Sequence, residues 1–341
     1  MRARTAPAQG RGRPRRSPRF ADLARPCPVP APQTLAAQGM STAALHAPLR
    51  AAIVGLGKMG RLHCAAWQRL PDVRLTTLVD CAPEQIAWAT AQAMTCLDSA
   101  EALVGRVDVA IIATPSDQHV DCALPLLEAG IHCLVEKPLA LTFAGCRQLV
   151  DASRRSGALL AVGHSERFNP ALHLARSALS GHAPCVEVIR AAPPPQRSLK
   201  SDSDVVQDLM IHDLDWLLDT LGAPEEELRL LEWRRQDGQL SHVRCQLNYA
   251  NGRRVNLTAC RESDRRQRQV RLYEGDMANR VIDLDVRYAS HEPDALTRQA
   301  QAFLMALRGE PSPIALGSQA LEAVLLGERI RNGCQMAEAV L

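Results

Sequence analysis

From Leu49 onward, apolar positions fall into short runs that alternate between two periods. Ala51–Val54 is a strand-sized apolar run, and Lys58–Leu70 then places Met59, Leu62, Ala65, Ala66 and Leu70 at helical spacing. The alternation continues with a strand at Val73–Asp80, a helix at Pro83–Ala93 opened by its Pro, and a short strand at Thr95–Leu97. Asp98 and Glu101 form a capping-box-like start to a further helix. A buried strand at Val107–Ala113, a helix at Ser116–Ala129 stopped by Gly130 and a strand at Ile131–Glu136 follow. A helix at Thr142–Ser156 stopped by Gly157 and a strand at Ala158–Gly163 complete the series. Repeated βα units of this length predict a parallel, doubly wound sheet.

Beyond Asn169 the rhythm changes. A helix at about Pro170–Ser180, a strand at Val186–Ala191 and a helix at Val205–Leu221 come first. Strand-like runs then follow one another: Glu227–Arg235, Leu240–Ala250, Arg253–Arg261, Gln267–Tyr273 and Arg280–Val286. Asn251-Gly252 is a strong hairpin turn between two of them. The chain closes with helices near Asp294–Arg308 and Ser318–Leu341. The expected fold class is α/β: a doubly wound sheet over residues 49–168, then an α+β domain with an open, mainly antiparallel sheet over residues 169–341.

Composition narrows the class without deciding the function. Aromatics make up only 3% of the chain, so its core is built mainly from Leu, Val, Ile and Ala. No run approaches the roughly 18 consecutive apolar residues of a membrane helix. Of the net charge of +3, residues 1–39 supply +7 through eight Arg and one Asp, leaving −4 for the remainder. That mildly acidic body gives no footprint for nucleic acid. Residues 1–48 are rich in Arg, Pro and Ala and lack apolar periodicity, so they read as a disordered basic tail, a targeting peptide or translated upstream sequence. The last is favoured, with Met40 as the start. The 11 Cys show no metal-ligand spacing, and their odd, irregular placement argues against a disulfide framework. A reduced, cytoplasmic setting and no bound metal are expected.

Four segments carry candidate chemistry. Gly55-Leu56-Gly57-Lys58-Met59-Gly60 sits between a strand and a helix, where glycines permit a tight turn and let a pyrophosphate approach free N–H groups. Asp80 closes the second strand, where an acid accepts bonds from adenosine ribose hydroxyls and repels a 2′-phosphate, favouring NAD over NADP. Thr114, Pro115 and His119 lie past the fourth predicted strand of the sheet, and Glu136-Lys137-Pro138 past the next, at the sheet edge where ligands bind. Asp208 and His212 are i,i+4 on a helix, an arrangement in which a carboxylate orients a general base. Taken singly, each has a simpler structural reading: a glycine turn, a helix cap, a solvated loop lysine or a helix-stabilising pair.

Together these segments resemble the glucose–fructose oxidoreductase/inositol dehydrogenase (Gfo/Idh/MocA) family, in that family's order, over about residues 50–340. The resemblance implies a Rossmann domain binding NAD, a second domain whose sheet often forms a homo-oligomer interface, and Lys137, Asp208 and His212 as the catalytic group. It also implies a Lys137–Pro138 peptide that is often cis. Gly163-His-Ser-Glu-Arg-Phe-Asn-Pro170 is similar to the branch that oxidises the 3-hydroxyl of UDP-N-acetylglucosamine or its uronic acid. That likeness makes Arg167 and Asn169 candidate substrate contacts, with a structural Glu166–Arg167 pair as the alternative. One departure stands out: many members carry glycines just before the Asp208 motif, where this chain reads Ser201-Asp-Ser-Asp-Val-Val-Gln207. A cyclitol or free-sugar dehydrogenase and a non-catalytic NAD sensor remain as other readings, the latter disfavoured by the intact Lys137, Asp208 and His212.

Overall fold

The computed structural model describes residues 47–180, 184–194, 203–225, 227–274, 277–285 and 293–339. The basic segment up to residue 46, Ser201 and Asp202 of the departure before Asp208, and the last residues of the 280–286 strand and the final helix lie outside them.

The first sheet is built as the apolar rhythm predicts. Its parallel strands are β1 (Leu49–Val54), β2 (Val73–Val79), β3 (Thr95–Leu97), β4 (Val109–Ile112), β5 (His132–Glu136) and β6 (Leu160–Gly163). The crossover helices are α1 (Lys58–Trp67), α2 (Pro83–Ala91), α3 (His119–Glu128) and α4 (Phe143–Ser156). With a seventh strand, β13 (Ala315–Leu316), the sheet order is β13-β6-β5-β4-β1-β2-β3, so connections reverse direction between β1 and β4. Alternate residues feed opposite faces: Ala51, Ile53, Val109 and Ile111 enter one apolar cluster, and Ala52, Val54, Ala110 and Ile112 the other. Both faces are therefore covered, as a parallel sheet requires.

Two expectations need correction here. The segment after Asp98 forms a single 3-10 turn, Glu101–Leu103, without a side-chain cap. Val104 leaves helical geometry at ψ 127° and Gly105 takes φ +76°, which ends the turn before a helix can propagate. The chain also returns to the first sheet late. Ala315–Leu316 (β13) pairs antiparallel with β6 and extends its edge. The preceding α7 (Ala295–Leu307), capped by Asp294 Oδ1 on Thr297 N at 2.8 Å, packs Phe303 edge-on against Trp67 with ring centroids 5.7 Å apart.

The second sheet has the order β12-β11-β7-β10-β9-β8. Its strands are β7 (Cys185–Ala191), β8 (Leu228–Gln236), β9 (Gln239–Asn248), β10 (Arg254–Cys260), β11 (Gln267–Glu274) and β12 (Met277–Asp283). All neighbours are antiparallel except the parallel pair β7–β10. Gly252, at φ +79°, makes the expected hairpin turn, with Arg253 N bonded to Asn251 Oδ1. Val186, Val188, Val255, Leu257, Val243 and Val270 point into the cluster shared with α6 (Ile211–Leu221) and α8 (Gly317–Glu338). Among the described residues no helix is long and apolar enough to cross a membrane.

Phe303→Ala is expected to cost about 3–5 kcal/mol, because it empties a fully buried ring site that ties α7 to α1. Urea unfolding measures this, and a loss below about 1 kcal/mol would show that α7 is not an integral cover of the first sheet.

Candidate functional site

Every strand of the parallel sheet that carries candidate chemistry delivers it at the carboxyl edge, on both sides of the β1/β4 reversal. Gly55 follows β1 at φ +88°, and a Cβ there would lie 2.7 Å from Thr114 N. A Cβ on Gly60 would meet Gly55 O at 1.8 Å, so α1 starts close against the loop only because that side chain is missing. Gly57 differs: nothing lies within 4 Å of its ideal Cβ. A cavity of about 560 Å³ opens there, lined by Leu56, Gly57, Lys58, Arg61, Leu62 and Gln85. Asp80 Oδ2 accepts from Leu56 N at 2.7 Å and its Oδ1 from Ala82 N at 2.9 Å, which fixes the carboxylate at the cavity's edge. An open floor of backbone beside a helix N-terminus, with Lys58 on the rim, fits a dinucleotide. Gly55, Gly57, Lys58, Met59, Gly60, Asp80, Thr114 and Pro115 could hold it.

His119 and Glu136 lie deeper than that role allows. The His119 ring is fully buried, with Nδ1 2.9 Å from Pro138 O and Nε2 3.0 Å from Thr114 O. It pins together the two loops that follow β4 and β5. Burial holds its pKa below the usual value, against the pull of the two carbonyls. Glu136 Oε1 lies 2.7 Å from His63 Nε2, and its Oε2 accepts from Lys137 N at 3.3 Å. Burial alone would raise the Glu136 pKa, but the His63 bond and charge outweigh it and keep the carboxylate ionised. Both residues shape the Lys137 loop from behind rather than line the cofactor groove. The Lys137–Pro138 peptide is cis.

Lys137 reaches across to the second candidate cluster. Its Nζ donates to Asp208 Oδ1 at 2.6 Å and to the Asp208 carbonyl at 3.0 Å. The expected helical Asp208–His212 pair does not form. Val206–Met210 is a π-turn, wider than an α-turn, so residues four apart no longer stack. Asp208 consequently bonds Lys137 and Arg261 instead of orienting His212. The π-turn is itself anchored. Asp204 Oδ1 accepts from Val206 N and Gln207 N, its Oδ2 holds Arg331 at 2.6 Å, and Gln207 Nε2 reaches Leu141 O at 2.9 Å.

His212, half-buried at the start of α6, has a buried Nδ1 without a hydrogen-bond partner. Burial pushes its pKa well below the usual value, and the charges of Lys137, Arg190 and Arg268 push the same way. The imidazole is therefore neutral near pH 7 and free to accept a proton. Burial pushes the Lys137 ammonium down to about 8; Glu136 opposes this, while Arg190 and Arg261 add to it. A desolvated cation beside a neutral base suits removal of a proton from an alcohol whose oxygen takes up negative charge.

Arg167 and Asn169 are not arranged as substrate contacts. Arg167 makes a bidentate pair with Asp215, Nε to Oδ2 at 2.8 Å and NH2 to Oδ1 at 2.7 Å, and is only 5% exposed. Asn169 caps α5 (Pro170–Leu179) through Ala171 N and donates to Glu166 and to Leu284 O. Nor does Glu166 pair with Arg167: it takes Arg190 and Arg268. Arg190 also grips Asp213 with two bonds of 2.8 Å. Arg167 and Arg190 thus hold Asp215 and Asp213 of α6, which sets the roll of the helix that presents His212. Sequence reading missed Arg190, Arg261, His164 and His63. Only His164 carried a signal, its place directly after a strand of the parallel sheet; the others act through contacts across elements.

Comparison with known proteins agrees with this fold. The profile described as an oxidoreductase family with an NAD-binding Rossmann fold, Gfo/Idh/MocA, matches residues 49–164. The UDP-N-acetylglucosamine 3-dehydrogenase of Acidithiobacillus ferrooxidans is 32% identical over 282 residues, covering 76% of this chain and 88% of that protein. A solved structure of that dehydrogenase, GnnA, superposes with a TM-score of 0.72 at 28% identity, covering 83% of this chain and 97% of the other. The WlbA dehydrogenase of Bordetella pertussis, solved with NADH and UDP-GlcNAcA, shares the fold with a TM-score of 0.74 at 18% identity, over 86% of this chain and 97% of that one.

Two measurements check this reading. Arg167→Leu strands Asp215 in a buried site and is expected to cost roughly 3–5 kcal/mol. Unchanged stability with a raised KM would restore Arg167 as a substrate contact. The second is pH dependence. His164 and His212 both have folded pKa values lowered, chiefly by burial. The unfolded chain therefore binds more protons once pH drops below about 6.5, so stability is full above that pH and declines below it. A thermal midpoint that stays flat from pH 7.5 to about 5.5 would contradict the buried, neutral state of these rings.

Proposed function

The chain belongs to the Gfo/Idh/MocA family of NAD-binding oxidoreductases, and from that premise we propose that it oxidises the 3-hydroxyl of UDP-N-acetylglucosamine or of its uronic acid. The observation that carries the chemistry is that the Lys137 ammonium, held by Asp208 at 2.6 Å, lies near enough to the neutral His212 for its charge to lower the pKa of that ring. NAD, when bound, supplies the hydride acceptor. His212 takes the hydroxyl proton onto its ring. Lys137 holds the same oxygen and steadies the negative charge that builds on it as the C–H bond weakens. Asp208 serves Lys137 rather than His212: it keeps the ammonium in place. The substrate class draws its support from the sugar-nucleotide specificity named for the Acidithiobacillus ferrooxidans relative, which matches along most of its length.

Lys137→Met and His212→Asn are each expected to lower kcat by roughly a hundredfold or more, while NAD affinity stays within a few fold. NADH absorbance reads turnover on a panel of UDP-N-acetylglucosamine, its uronic acid, myo-inositol and glucose. Full activity in either variant would remove that residue from the chemistry. Turnover of inositol with none of the UDP-sugars would reject the substrate assignment.

A further inference from the structure

Asp208 has two carboxylate oxygens and serves two cations. Oδ1 lies on Lys137 Nζ at 2.6 Å, while Oδ2 contacts the terminal nitrogen of Arg261. Arg261 comes from the far side of the pocket. It directly follows β10, and its own N–H donates to Ser241 O at 2.8 Å, which locks its main chain to β9. Its side chain is about one-fifth exposed, and its Nε is buried without a partner, so among the described residues Asp208 is its one anionic contact. Two positive charges therefore share one negative charge beside the place where Lys137 meets substrate. The other buried arginine of the pocket, Arg190, is already matched by Asp213 and Glu166.

We propose that Arg261 is a positioning residue for the reaction: by holding Oδ2 it fixes the carboxylate whose Oδ1 holds the Lys137 ammonium. Resting on the dehydrogenase reading, this assigns the second sheet a part in the chemistry. Without Arg261 the Asp208 side chain loses its outer anchor, and Lys137 loses register with the substrate oxygen. Its neighbours are Glu136 of β5, Arg190 of β7, Arg261 after β10, Asp208 of the π-turn, His212 of α6, His164 after β6 and His119 of α3. Of the groups named, Arg190 and Arg261 disfavour the charged lysine. Removing the Arg261 charge thus lets Lys137 keep its proton to higher pH.

The test uses Arg261→Gln, with Arg261→Met in its place if the amide variant does not fold, and Arg261→Lys as the charge-conserving control. Lys137 is titrated in the protein without substrate by pulsed reductive methylation, read by mass spectrometry as a function of pH. In the neutral variant the labelling midpoint is expected to rise by roughly half a pH unit or more, with Arg261→Lys staying close to the wild type. On UDP-N-acetylglucosamine, kcat is expected to fall roughly ten- to a hundredfold in the neutral variant with NAD affinity unchanged and partial recovery in Arg261→Lys. An unmoved midpoint in the neutral variant, or equal defects in the Gln and Lys variants, would overturn the proposal. Labelling needs no turnover, so wild-type inactivity on every sugar would reject the dehydrogenase reading and leave the Arg261 result to stand or fall by itself.

Discussion

The ion pair between Lys137 and Asp208 joins the carboxyl edge of the parallel sheet to the turn that starts α6, and the rest of the site is arranged around keeping it there. Each partner is held from behind. Lys137 precedes a cis peptide to Pro138, whose carbonyl is bonded to His119, and the Lys137 N–H donates to Glu136. Asp208 stands on a π-turn capped by Asp204, which Arg331 of α8 holds in place. A half-buried ion pair gains little by itself once desolvation is counted. What it contributes is register: the cation is fixed relative to the glycine loop on one side and to His212 on the other.

The same trade is repeated around it. Arg167–Asp215 and Arg190–Asp213 are bidentate and buried, and Glu166 gathers Arg190, Arg268 and Asn169. Replacing such pairs with well-packed apolar residues commonly costs nothing in stability, so their value here lies in geometry. Two aspartates two residues apart point to different partners on different elements, and α6 cannot rotate without breaking one of them. Since α6 also carries His212, the network fixes the direction in which the base faces.

The parallel sheet was legible because both of its signals are local. Strand-length apolar runs alternate with helical spacing, and glycines stand where the chain must turn tightly or approach itself, as at Gly55 and Gly60. Lys137, Asp208 and His212 were legible as a set of residue types. Their pairing was not, because i,i+4 spacing implies a shared face only if the turn between is α-helical, and Val206–Met210 is not. Arg167 and Asn169 illustrate the opposite failure. Polar residues after a strand at the ligand-binding edge invite a binding role, and only the tertiary structure reveals that Asp215 and Leu284 O already satisfy them. Arg261 left no trace in the sequence, since its partner lies 53 positions earlier and on another element.

The π-turn also changes how labour is divided in the pocket. In an α-helical arrangement Asp208 would raise the basicity of His212 and hold its tautomer. Here the carboxylate is spent on two cations, and the charges of Lys137, Arg190 and Arg268 disfavour a protonated His212. A weak base surrounded by cations is a poor proton acceptor from a neutral alcohol in isolation. It becomes an adequate one when the alcohol oxygen is bonded to Lys137, because the ammonium lowers the proton affinity of that oxygen at the same time. The cationic surroundings thus depress acceptor and donor together, and what they add beyond that cancellation is stabilisation of the negative charge shared between the two. Proton removal and charge stabilisation are therefore a joint property of Lys137 and His212, and neither side chain has the right proton affinity without the other.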